Sequence, residues 1–187
     1  MTSRIVQGLA GILTAFAATA AAAQEEESTN RVAAETDWSV FVEDDPTECW
    51  AVTQPKETVN TRDGRVVAVR RGEILLFTFF RPGEDVSGQV TFTGGYPFST
   101  ERPITLVVGD DRFQLYTQPD NPDTPVNEQE WAWAASPEDD AKIAAAMRRG
   151  VDAVITAEST RGTTTEDTFS LMGYTAAVEE AQRRCSE

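Results

Sequence analysis

Two cysteines, Cys49 and Cys185, carry the most definite chemistry in this 187-residue chain, which contains no histidine at all. Without imidazole the chain lacks the commonest general base, the usual activator of a nucleophile and the commonest zinc ligand. A structural disulfide between Cys49 and Cys185 is the expected use, provided that the chain matures in an oxidising compartment. A reactive thiol is the alternative, but the chain has no C-x-x-C motif and no histidine to activate one, and oxidation outside the cytoplasm would consume it. Ser136 and Ser170 would require a Ser–Lys arrangement for activation, and no spacing to Lys56 or Lys142 supports one.

The acidic side chains read the same way. Asp44-Asp45 and Asp110-Asp111 could suggest a glycosidase pair, but adjacent acids in turn sequences cap backbone groups. Asp120, Asn121, Asp123, Asn127 and Glu128 offer oxygen ligands of the kind calcium takes. Their spacing fits no EF-hand, and Pro119, Pro122 and Pro125 mark the segment as an exposed loop. No catalytic residue, metal or cofactor is expected. Trp131, Trp133, Tyr96 and Phe98 could line a cleft for a sugar or peptide by offering ring faces, against the plainer reading of core and rim packing. Arg62-Asp63-Gly64 has the wrong order for an adhesive Arg-Gly-Asp.

The compartment is written at the N-terminus. Residues 1–23 carry one charge, Arg4, then an uncharged run ending in Ala21-Ala22-Ala23 before Gln24-Glu25-Glu26-Glu27. This is the order of a secretory signal with an A-x-A cleavage site, predicting release after Ala23 and a periplasmic or secreted protein without stable membrane insertion. An uncleaved anchor is the alternative, weakened by the alanine-rich second half of the run. Residues 24–37, polar and without period, predict a disordered acidic lead-in. Residues 38–187 are expected to form one domain. The net charge of −15 makes nucleic acid and anionic lipid poor partners.

The elements that would position these residues are mostly strands. Alternation predicts strands at 38–42, 49–53, 66–69, 89–93, 131–134 and 151–157, with 104–117 as a hairpin. Residues 74–80 are apolar on both faces and should form the most buried strand. Pro55 to Thr61 reads as a loop. Ser136 as N-cap, Pro137 at the first helical position and Gly150 as the stop bracket one helix. Asp167 to Cys185 reads as a strand, a break at Gly173 and a closing helix that delivers Cys185 on the face of Ala177, Val178 and Ala181. The fold class is therefore mainly β, a β-sandwich or partly open barrel with two short peripheral helices.

Trp38-Ser39-Val40, Cys49-Trp50, Met147-Arg148-Arg149-Gly150 and above all Phe169-Ser170-Leu171-Met172-Gly173-Tyr174-Thr175-Ala176-Ala177 resemble the invasion-associated locus B family of bacterial envelope proteins. The likeness runs in order through most of the chain after the signal. It implies a compact, mainly β, exported protein. The leading expectation for the chain as a whole is a non-enzymatic envelope protein that binds another macromolecule, an envelope or host protein. Many members carry a further cysteine pair where this chain has Trp131-Ala132-Trp133-Ala134. No host-interaction motif accompanies the resemblance.

Overall fold

The computed structural model describes residues 30–45, 47–124 and 126–186. The signal segment and residues 24–29 of the lead-in lie outside the described residues. In chain order the strands are β1 (Arg31–Glu35), β2 (Trp38–Asp44), β3 (Thr47–Thr53), β4 (Glu57–Arg62), β5 (Arg65–Val66) and β6 (Leu75–Arg81). There follow β7 (Val86–Thr93), β8 (Ile104–Val108), β9 (Asp111–Leu115), β10 (Trp131–Trp133), helix α1 (Pro137–Arg149), β11 (Asp152–Glu158), β12 (Thr164–Ser170) and helix α2 (Tyr174–Arg184).

These strands form two antiparallel six-stranded sheets, ordered β1-β2-β3-β6-β7-β10 and β5-β4-β12-β11-β8-β9. Neither closes on itself, so the fold is a sandwich and not a barrel. The inner face of the first sheet presents Trp38, Val40, Cys49, Ala51, Leu76, Phe80, Val90 and Phe92, which share one core with Ile104, Leu106, Ile155 and Phe169 of the second. Residue alternation sends every second side chain of each strand outward. β6 is the most covered strand, as its continuous apolar run predicts: Leu76, Thr78 and Phe80 are buried inward, and Phe77 and Phe79 are nearly covered on the other side.

Both helices close the sandwich. α1 packs on β7 and α2 lies across β1, β2 and β3. Ser136 caps α1 through its side-chain oxygen, which accepts from the Asp139 N–H at 3.2 Å. The buried carboxylate of Asp140 accepts the Val90 N–H at 2.8 Å, tying α1 to β7. Burial pushes the Asp140 carboxyl above its ordinary range. No described helix is long and apolar enough to cross a membrane.

Three sequence expectations are corrected. Residues 31–35, read as disordered, are strand β1, because they pair with β2 and pack beneath α2. Most of Pro55 to Thr61, read as a loop, lies in strand β4, recruited by a full antiparallel register with β12 from Thr164↔Thr61 to Thr168↔Glu57. Residues 66–69 do not make a strand of that length: only Arg65–Val66 pairs, and the chain then leaves as irregular backbone toward β6. Backbone pairing overrides weak local patterning in the first two, and in the third an alternating pattern finds no partner strand beyond Val66.

The segment that best carries the family resemblance is a clasp. Gly173 adopts φ +92°, which only glycine takes without strain. Beside it, the Asp37 N–H donates to Met172 O at 3.3 Å, and the Trp38 indole N–H donates to Ser170 O at 3.0 Å. Trp38 meets Tyr174 edge-on, with ring centroids 4.9 Å apart, and both rings are about 1% exposed. The Tyr174 hydroxyl lies 3.3 Å from Thr78 Oγ1. These residues fasten the first strands to the closing helix.

Candidate functional site

Cys49 is fully buried on β3, and Cys185 stands at the C-terminal end of α2. Their Cα atoms are 5.8 Å apart and the two form a disulfide across a sequence separation of 136. Ala177, Val178 and Ala181 are buried on the face that delivers Cys185. The bond joins the first sheet to the closing helix and is a structural element.

The four aromatic residues singled out in the sequence do not meet in one cleft. Phe98 is 0% exposed, stacked on Phe92 in the core, so it can line no binding surface. Tyr96 sits in a loop at one end of the sandwich. Its hydroxyl lies 2.6 Å from Thr165 Oγ1, the Arg71 guanidinium lies 5.0 Å from its ring centroid, and burial pushes its pKa up to about 12. Trp131 and Trp133 are on β10 with Ala132 buried between them, so both project from the outer face of the first sheet.

That outer face holds what the sequence did not reveal. β2, β3 and β6 are neighbours, and the register sets Phe41 opposite Trp50 and Trp50 opposite Phe79. Phe41 and Trp50 stack at 5.6 Å and Trp50 meets Phe79 at 6.1 Å. Phe79 stacks on Phe77 at 5.0 Å, and Phe77 meets Trp131 at 5.6 Å. The Arg81 guanidinium lies over the middle of the row, 4.5 Å from the Phe79 ring centroid. An open basin of about 900 Å³ is floored by Phe41, Trp50, Val52, Leu75 and Phe77, with Arg31, Asp37, Lys56 and Glu73 among its polar walls. Apolar rings above and charged side chains around them suit a ligand that combines ring or apolar faces with polar edges.

Several of the residues weighed as catalytic or metal-binding make contacts within the fold. Asp111 pairs with Arg149 on the surface, and Asn121 and Asn127 cap turns by accepting the N–H groups of Asp123 and Gln129 at 3.1 Å each. Among the described residues no group of three or more carboxylates, cysteines or histidines is placed to hold a metal ion. Asp167 is fully buried and accepts two bonds from Arg71, 2.7 Å from Nη1 and 2.6 Å from Nη2. Arg71 also donates from Nε to Gly94 O at 2.9 Å, so this pair fixes the loop that carries Tyr96.

No protein-family model matches the chain, and no curated protein matches it in sequence. In three dimensions the chain is similar to the crystal structure of invasion associated protein B from Bartonella henselae, with a TM-score of 0.54 and 15% identity. The match covers 83% of this chain and 98% of that one. The two share a fold.

Proposed function

We propose that this chain is an exported, non-enzymatic envelope protein of the invasion-associated locus B type that binds another macromolecule across the outer face of its first sheet. The observation that carries this reading is the row Phe41, Trp50, Phe79, Phe77, Trp131. An antiparallel sheet with one face on the core ordinarily turns polar side chains to water on the other. Phe77 and Phe79 are almost fully covered, at 7% and 9% exposed, so the part of the row open to a partner is Phe41, Trp50 and Trp131, each half-buried. Rings that reach water on that face support an interaction site. The partner is an envelope or host protein and not nucleic acid, given the net charge of −15.

The secretory pattern at residues 1–23, the disulfide and the shared fold support a periplasmic or secreted location. The non-enzymatic reading rests on a sequence without histidine and on acids engaged in folding. A second reading, of another class, places a glycan in the same basin, favoured by ring faces on the floor and charged groups on the walls.

The test compares the mature protein with a Phe41→Ser/Trp50→Ser variant of unchanged circular dichroism in capture from native envelope extract. A partner held by the first and lost by the second supports the macromolecular reading. Equal capture by both removes the aromatic face from the function. Titration with envelope oligosaccharides, followed by tryptophan emission, tests the glycan reading on the same two proteins.

A further inference from the structure

A second cavity, of about 500 Å³, opens beside Tyr96 and gathers basic residues that lie far apart in sequence. Arg62 reaches it from the end of β4, Arg70 and Arg71 from the segment before β6, and Arg161 from the β11–β12 turn. The whole chain has 16 basic residues against 31 acidic ones, so four arginines around one cavity are not what its composition would scatter there. Glu130 is the single carboxylate on the wall.

Arg71 is neutralised by Asp167 behind it. Arg62, Arg70 and Arg161 are not: among the described residues none of the three has a carboxylate within ion-pair distance. Arg62 is held in place by donating from Nη2 to Thr163 Oγ1 at 2.5 Å. Three arginines facing one wall carboxylate leave a net positive charge whose mutual repulsion an anion placed among them would relieve. Guanidinium groups match oxyanions geometrically through paired N–H donors.

The rest of the lining is hydroxyl-rich: Tyr96, Ser159, Thr160, Thr163 and Thr165. Ser159 Oγ accepts the N–H groups of Arg161 and Thr163 at 3.3 and 3.0 Å, which sets the turn that presents Arg161. The cavity is closer to monosaccharide size than to the scale of a protein interface.

We propose that this pocket is a binding site for an anionic sugar, with its phosphate or carboxylate group held by Arg62, Arg70 and Arg161. Glu130 and the wall hydroxyls take the neutral hydroxyl groups of the ligand. The site is separate from the aromatic face and does not depend on its role.

The experiment is calorimetric titration of the disulfide-bonded mature protein, at low ionic strength, with glucose 6-phosphate, glucuronate and neutral glucose. At least one anionic sugar is expected to bind at least about tenfold more tightly than glucose and to weaken as salt rises. The tighter of the two identifies phosphate or carboxylate as the group read. Arg62→Ala/Arg161→Ala is expected to lose at least about tenfold in affinity, whereas Arg112→Ala/Arg149→Ala, which removes the same charge elsewhere, stays within about twofold. Arg70→Glu, at an exposed side chain, provides a second variant should the first fold poorly, and it is expected to abolish binding. No saturable binding of either anionic sugar overturns the proposal, as does an equal loss in the distant pair of arginines.

Discussion

The backbone carbonyl of Glu35 occupies the space that a Cβ on Gly173 would need. A strand at the start of the domain and the first turn of its last helix are thus in backbone contact. Gly173→Ala would combine a positive φ with direct overlap. It is expected to cost at least about 2–3 kcal/mol and to release β1. Denaturant midpoints give the first quantity and limited proteolysis near Arg31 the second. A loss below about 1 kcal/mol would show that β1 can move away at little cost and that the clasp is not essential.

The disulfide yields a second expectation. Cys49→Ser/Cys185→Ser should retain the sandwich, because the core has its own apolar contacts, and lose about 2–5 kcal/mol. Thiol titration of the native protein should find no free cysteine. Two titratable thiols would leave α2 tethered by packing alone.

The Arg71–Asp167 pair is buried on both sides, with side chains 6% and 0% exposed. Arg71→Ala leaves a carboxylate uncompensated, and a loss of about 3–5 kcal/mol is expected. Arg71→Met/Asp167→Leu removes both charges and should recover most of that loss. If the double variant is no more stable than the single one, the pair contributes more than mutual neutralisation. Chemical unfolding of the three proteins measures this directly.

Asp140 separates hydrogen bonding from charge. Asp140→Asn keeps an oxygen to accept the Val90 N–H, whereas Asp140→Ala leaves that buried donor alone at a cost of about 1–3 kcal/mol. Since burial raises the folded pKa above the ordinary 3.8, the carboxyl favours folding most below that pH and loses this advantage as pH rises through its folded pKa. At neutral pH Asp140→Asn is therefore expected to be at least as stable as the parent. An asparagine variant as unstable as the alanine one would contradict this.

Tyr96 supplies a prediction at the alkaline end. Its pKa rises from 10.0 to about 12 on folding, so the folded state holds a proton that the unfolded state has already released. Its contribution to stability is complete below pH 10 and disappears between pH 10 and about 12. Tyr96→Phe should flatten the decline of stability across that window, read from melting temperatures at successive pH values. An unchanged slope would show that Tyr96 titrates alike in both states.

The sandwich was legible because its interior strands alternate and residues 74–80 are apolar on both faces. α1 was legible because Ser136, Pro137 and Gly150 mark its ends. β1 and β4 were not. Arg31–Glu35 and Glu57–Arg62 have no apolar face of their own and become strands only through their partners β2 and β12. The aromatic row was hidden for a topological reason. Phe41 and Trp50 lie beside Phe79 only because β4 and β5 leave for the other sheet, bringing β6 next to β3. Trp131 and Trp133 were readable as an alternating strand, but the ring neighbour of Trp131, Phe77, lies more than fifty residues away in the sequence. The arginine cavity was out of reach for the same reason: nothing local connects Arg62 to Arg161.

The Cys49–Cys185 bond also fixes an order of events during synthesis. All twelve strands among the described residues precede Cys185, so the covalent seal can close only after each of them has been made. At ordinary elongation rates Cys49 waits roughly 7–30 s for its partner, the time needed to add the 136 residues between them. During that interval no other thiol exists in its own chain with which to mispair. The covalent errors open to this protein are therefore bridges between copies or to foreign thiols. A non-reducing gel of freshly exported chains would show the first of these as dimers that vanish on reduction.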